Sequence, residues 1–133
     1  MFVSPERPLS LASDNGNLDI LWLLLQSGAA VDSRDNDGRT PLSSASRNGR
    51  YDIAQLLLQC GAAVDSRDNN GWTPLSSASG NGHLYVAQLL LQSVAAVDSR
   101  DNNGRAPLSL ASDNGHLDIL RLLRQSSRRR GLS

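Results

Sequence analysis

The chain has 133 residues, with 13 Arg and no Lys, 12 Asp and one Glu, and no net charge. Neutrality argues against a dedicated nucleic-acid binder, which carries a strong basic excess. The single cysteine, Cys60, excludes an intramolecular disulfide and argues against a disulfide-stapled secreted scaffold. The opening MFVSPERP has neither a long apolar core nor a small-residue cleavage site. The longest strongly apolar stretch, Leu18 to Leu25, is interrupted by Asp19 and falls far short of the ~20 residues that cross a bilayer. These features point to a soluble, intracellular chain. With aromatics at 4%, its core is expected to consist of Leu, Ile, Val and Ala.

The chain repeats. Pro8, Pro41, Pro74 and Pro107 are 33 residues apart, and Asp32, Asp65 and Asp98 keep that spacing, as do Gly38, Gly71 and Gly104. Residues 40–72 and 73–105 agree at 25 of 33 positions. The units are 7–39, 40–72, 73–105 and a shortened 106–127, with short flexible ends at 1–6 and 128–133. Each unit opens with a short helix. Thr40 and Thr73 are good N-caps, and Pro41 and Pro74 suit the first helical position. Asn15-Gly16, Asn48-Gly49, Asn81-Gly82 and Asn114-Gly115 then mark tight turns. A second helix follows, with apolar residues at helical spacing such as Ile20, Leu21 and Leu24, or Ile53, Leu56 and Leu57. Gly28 and Gly61 stand where a left-handed C-cap would end it. The polar segments 30–38, 63–71 and 96–104 predict projecting, hairpin-like loops, or fingers.

Neither helix of a unit can bury its apolar stripe alone, so neighbouring units must cover it. Three ladders are expected: Leu9, Leu42, Leu75 and Leu108; Ala12, Ala45, Ala78 and Ala111; and Ile20, Ile53, Val86 and Ile119.

The sequence resembles the ankyrin repeat, whose 33-residue period and Thr-Pro-Leu-His-x-Ala signature it approaches. The matching segments are TPLSSAS at 40–46 and 73–79, RPLSLAS at 7–13 and APLSLAS at 106–112. NGH at 81–83 and 114–116 and DIAQLLLQCGAAVDSRDNNG at 52–71 match the family's turn, second helix and finger. The resemblance covers residues 7–127. It implies an all-α solenoid of helix-turn-helix units whose fingers and concave face bind other proteins.

Several positions depart from that pattern. The His after Pro-Leu, which usually bridges units in the family, is Ser10, Ser43, Ser76 and Ser109, and a hydroxyl there is expected to cap its own helix. Ser44 and Ser77 replace the Leu seen at Leu11 and Leu110, which forgoes about 1.5–3 kcal/mol of burial where the site is covered. Arg7 and Ala106 replace the N-cap Thr, and Val94 replaces the C-cap Gly, where a β-branched residue resists positive φ. A marginally stable array is expected.

Catalysis finds no support. Ser is scattered through the repeats without a Gly-x-Ser-x-Gly elbow, so the Ser residues read as caps and packing positions. His83 and His116 read as stacked turn residues rather than metal ligands. Cys60 lacks a neighbouring His or Lys to activate it, and the glycines are turn and cap residues rather than a phosphate loop. No cofactor, metal, small-molecule substrate or specific nucleic acid is expected, and the chain reads as a monomer.

Binding has better candidates. The resemblance places the finger residues Arg34, Asn36, Asp37 and Arg39 on the concave face. It adds Arg67, Asn69, Asn70, Trp72, Arg100, Asn102, Asn103 and Arg105, with Arg47 from a first helix. Trp72, Arg39 and Arg105 stand out because Trp and Arg are enriched at binding hot spots. The competing reading for Trp72 is packing against its own finger or a neighbouring Arg. Arg34, Arg67 and Arg100 read instead as a solvated row paired with Asp35, Asp68 and Asp101. Trp22 and Tyr85 fall on the outward side of the second helices, where they cover apolar surface locally.

Arg121, Arg124, Arg128, Arg129 and Arg130 give the last 13 residues a charge of +5 against −5 for residues 1–120. This basic run fits either a targeting patch or a frayed, solvated tail, and a frayed, solvated tail is expected. The expected function is a protein-interaction module. The alternative is a targeting or scaffolding segment of a larger enzyme or signalling protein, suggested by a fourth unit that stops after its second helix and by ends without polar capping repeats.

Overall fold

Thr40 and Thr73 show how the sequence starts its helices. Each Oγ1 accepts the backbone N–H three residues on, from Ser43 or Ser76, at 3.2 Å. Pro41 and Pro74 take the first helical position, where a missing N–H costs nothing. The Ser43 and Ser76 hydroxyls lie 3.1 Å from the same Thr oxygens, so they serve their own helix as expected.

The computed structural model describes residues 6–131, and among them all regular structure is helical. The helices are α1 (Glu6–Asn15), α2 (Leu18–Gln26), α3 (Pro41–Arg47), α4 (Tyr51–Gln59), α5 (Pro74–Asn81), α6 (Leu84–Gln92), α7 (Pro107–Asp113) and α8 (Leu117–Arg129). They pair in sequence as α1–α2, α3–α4, α5–α6 and α7–α8. The first helices stack on one another in a row, α1 to α3 to α5 to α7, and the second helices stack alongside them. The result is an all-α repeat solenoid.

The Ala ladder makes the close stacking possible. Ala12, Ala45, Ala78 and Ala111 are all buried, and a methyl group is all that the gap between neighbouring first helices holds. Leu9, Leu42 and Leu75 are fully buried beside them. Leu108, at the open end of the stack, is half-buried.

The third expected ladder is corrected at its start. Ile53, Val86 and Ile119 are buried, but Ile20 is 50% exposed. Among the described residues no earlier unit stands against it, and Leu21 fills the core of the first unit instead.

Gly28 and Gly61 end α2 and α4 with φ of 94° and 87°. Val94 holds the same place after α6 at φ 66°, and it is the one positive-φ residue other than glycine among the described residues. The C-terminal end also differs from expectation. Helix α8 runs through Arg129, and Arg130 donates from its guanidinium to the carbonyls of Ala95 and Leu91. That contact ties the end of α8 to the end of α6, where a frayed tail from residue 128 was expected. The expected flexible residues 1–5 and 132–133 lie outside the described residues.

Candidate partner-binding face

Each finger is built around one aspartate. Asp35, Asp68 and Asp101 accept on Oδ1 the backbone N–H groups two and four positions on, at 2.8–2.9 Å. Their own N–H groups donate to the carbonyls of Arg39, Trp72 and Arg105, which closes a hairpin-like loop. Short acidic side chains favour such local bonding over a regular ladder.

The fingers are then stitched together at a 33-residue step. Asn69 donates from its backbone N–H to Asp37 O at 3.0 Å and from Nδ2 to Asn36 O at 3.1 Å. Asn102 repeats both bonds one unit later, to Asn70 O at 3.0 Å and Asn69 O at 2.9 Å. Oδ1 of Asp32 and of Asp65 accepts the N–H of Ala63 and Ala96, respectively, at 3.0 Å.

The arginine row is corrected. Arg34 donates to the carbonyls of Gly38 and Arg67, Arg67 to that of Arg100, and Arg100 to that of Gly104. These guanidinium nitrogens bond backbone carbonyls, while Oδ1 of each neighbouring carboxylate takes the turn N–H groups. This row is a seam between fingers, not a series of ion pairs.

Trp72, Asp101 and Arg105 come together. The indole N–H of Trp72 donates to Asp101 Oδ2 at 2.9 Å, and Arg105 Nε donates to the same oxygen at 3.1 Å. The ring lies on Gly80 of α5, where an added Cβ would stand 3.3 Å from Cη2. One repeat earlier, Arg47 stands at the position of Gly80 and Arg39 at the position of Trp72, so the seat and its occupant change together. Burial pushes the Asp101 carboxyl up. The N–H groups of Arg105 and Asn103, the indole and the Arg105 charge together outweigh burial and hold it below its ordinary value of 3.8.

The remaining expected residues divide by role. Arg39 is half-buried, with its guanidinium 3.4 Å from Asp37. The amides of Asn69 and Asn102 carry the inter-finger seam. Arg47, Asn70 and Asn103 are exposed, and their side chains make no hydrogen bond among the described residues. Trp22 and Tyr85 face outward on the second helices, Trp22 beside Asp52 and Gln55 and Tyr85 beside Tyr51 and Leu89.

A second seam runs along the turns. Arg50 Nε donates to Asp14 O at 3.2 Å, while His83 Nε2 lies 2.9 Å from Arg47 O and His116 Nε2 lies 3.2 Å from Gly80 O. Each spans 36 residues and ties a turn to the end of the preceding first helix. This seam bridges neighbouring units along their turns. Its signal in the sequence was the 33-residue spacing of three long polar side chains. Asp101 was equally missed as a shared acceptor, although only its finger follows one that ends in Trp.

No curated protein matches the chain. The family model for ankyrin repeats does match it, in three copies, over residues 4–68 and 60–129. The repeat period, the stacked helix pairs and the Asp-centred fingers agree with that match, and the chain belongs to the ankyrin-repeat family.

Proposed function

We propose that this chain binds a partner protein through its finger tips and the adjoining side of its first helices, with no chemistry of its own. Ankyrin repeats are protein–protein interaction modules. The observation that carries the reading is the division of labour within the fingers. Backbone groups, Asn amides and the Arg34, Arg67 and Arg100 guanidiniums are used to hold the loops rigid. Arg47, Asn70 and Asn103 are left facing outward on that rigid frame. Rigid loops lower the ordering cost of association, so exposed polar side chains on them bind at less entropic penalty.

Trp72, Arg105 and Arg39 form the shoulder of this surface, and Asn69 and Asn102 border it. No helix among the described residues is long and apolar enough to cross a membrane. The lone Cys60 suits a reducing compartment, so the partner is sought inside the cell.

The test is affinity capture with mass spectrometry, comparing the native chain with Arg47→Glu combined with Asn70→Ala and Asn103→Ala. None of these three side chains holds the fold. A partner recovered by the native chain and lost by the triple variant supports the reading. Equal recovery of every captured protein by both chains counts against it.

A further inference from the structure

The two ends of the solenoid are complementary to each other. At the first end, the same residue types change from buried to exposed with position. Ile53 is 1% exposed and its equivalent Ile20 is 50%; Leu110 is 1% and its equivalent Leu11 is 52%. Leu23 is 58% exposed, whereas Leu56 is half-buried. At the last end, Ser79 is buried but Ser112 is exposed, and Leu75 is buried but Leu108 only half so. Each uncovered surface carries repeat positions that an internal unit buries against its neighbour. Charge matches as well: outside the fingers, α1 and α2 carry three acids and one Arg, net −2, and α7 and α8 carry four Arg and two acids, net +2.

We infer that a second copy of this chain stacks head to tail on the first, its fourth unit covering the first unit's open face. The register follows from the repeat. Within the chain, Trp22 lines a groove with Asp52 and Gln55 of the next unit. Arg121 holds the equivalent position in the fourth unit. Across copies it therefore meets the equivalents of Asp52 and Gln55 in the first unit, which are Asp19 and Trp22. A carboxylate and an indole together make a good guanidinium site. In the same way Leu91 adjoins Leu122 and Gln125, so Arg124, its equivalent, lays its stem over Leu23. The Arg130 clasp on Ala95 and Leu91 holds the end of α8 against the third unit and leaves the stacking face open. The interface uses neither the fingers nor the first-helix side proposed for partner binding, so the two readings stand or fall separately.

A head-to-tail contact of this kind is heterologous and open-ended. Sedimentation velocity of the 133-residue chain at low ionic strength is expected to show a mean mass that grows past two copies with concentration and falls with added salt. Ile20→Asp with Leu23→Asp blocks one end, and Arg121→Asp with Arg124→Asp blocks the other. Each variant alone is expected to run as a single copy, and an equal mixture is expected to stop at two. All four residues are exposed, and the two Arg residues make no internal bond among the described residues, so that arm stays folded whatever the apolar pair does. A native chain that remains a single copy at every concentration overturns the inference. So does growth that survives the Arg substitutions, or a mixture that does not pair.

Discussion

Trp72 and Asp101 are joined across two fingers by a 2.9 Å bond from the indole N–H to a buried carboxylate oxygen. The ring fills the seat that Gly80 leaves open, so the bond and the packing support each other. Trp72→Phe keeps the ring and removes the donor. Hydrogen bonds to charged groups are worth about 1.5–3 kcal/mol, and the partial exposure of this one puts the expected loss near the lower end, at about 1–2 kcal/mol. Urea unfolding measures it. In a double-mutant cycle, Trp72→Phe should cost much less once Asp101 is Asn, and equal costs in the two backgrounds would argue that the bond contributes nothing.

Acid should act through the same carboxylate. The folded-state pKa of Asp101 lies below its ordinary value of 3.8, so the unfolded chain binds the proton more readily. Its contribution to stability is therefore fully present above about pH 5 and is lost as pH falls through the folded value. Between neutrality and pH 3 the native chain is expected to lose more unfolding free energy than Asp101→Asn, with the difference confined to the range below about pH 5. Parallel pH profiles for the two proteins are the contrary result.

Val94 is held at φ 66° where the two preceding units have Gly28 and Gly61. The left-handed region costs a non-glycine residue about 1–2 kcal/mol, while glycine adds about 0.5–1 kcal/mol of unfolded-state entropy. The side chain is exposed, so little packing is lost with it. Val94→Gly is expected to raise stability by about 0.5–1 kcal/mol, read from the urea midpoint at unchanged slope.

Period, caps and turn residues made the helices and this strained cap legible in advance. A 33-residue repeat with Thr-Pro starts and Asn-Gly turns leaves few other packings. End effects were not legible, because Ile20 and Ile53 hold the same repeat position after an Asp and their difference in exposure depends on what lies against them. The finger seam was hidden for a related reason. Asp beside Arg reads as an ion pair until the turn geometry shows both Asp35 Oδ1 bonds going to backbone N–H groups. Arg130 was misread because its partners, Leu91 and Ala95, lie more than one repeat away in sequence.

Ser46 and Ser79 face the core with hydroxyls that are buried and unbonded, whereas the equivalent Ser13 donates to Leu9 O at 2.9 Å. A buried hydroxyl without a partner costs about 1–3 kcal/mol, and Ala is also the better helix former. Ser46→Ala and Ser79→Ala are each expected to stabilise by about 1 kcal/mol, while Ser13→Ala is neutral or destabilising. Thermal melts of the three single variants separate the cases. A loss of stability in the first two would mean that those hydroxyls find partners in solution.

The turn seam makes a sharper prediction at His83 and Gly49. His83 Nε2 lies 2.9 Å from Arg47 O, and its ring covers Gly49 so closely that an added Cβ would stand 2.5 Å from Nδ1. Two demands meet at Gly49: a φ of 69° and the space taken by the ring. His83→Ala is expected to cost about 0.5–1.5 kcal/mol for the lost bond. Gly49→Ala should cost more, because backbone strain of about 1–2 kcal/mol adds to the collision. With His83 already Ala, the collision disappears and only the strain remains. The double variant should therefore be more stable than the sum of the single losses predicts, by at least about 0.5 kcal/mol. Simple additivity would mean that the ring moves aside freely and that this seam does not constrain neighbouring units.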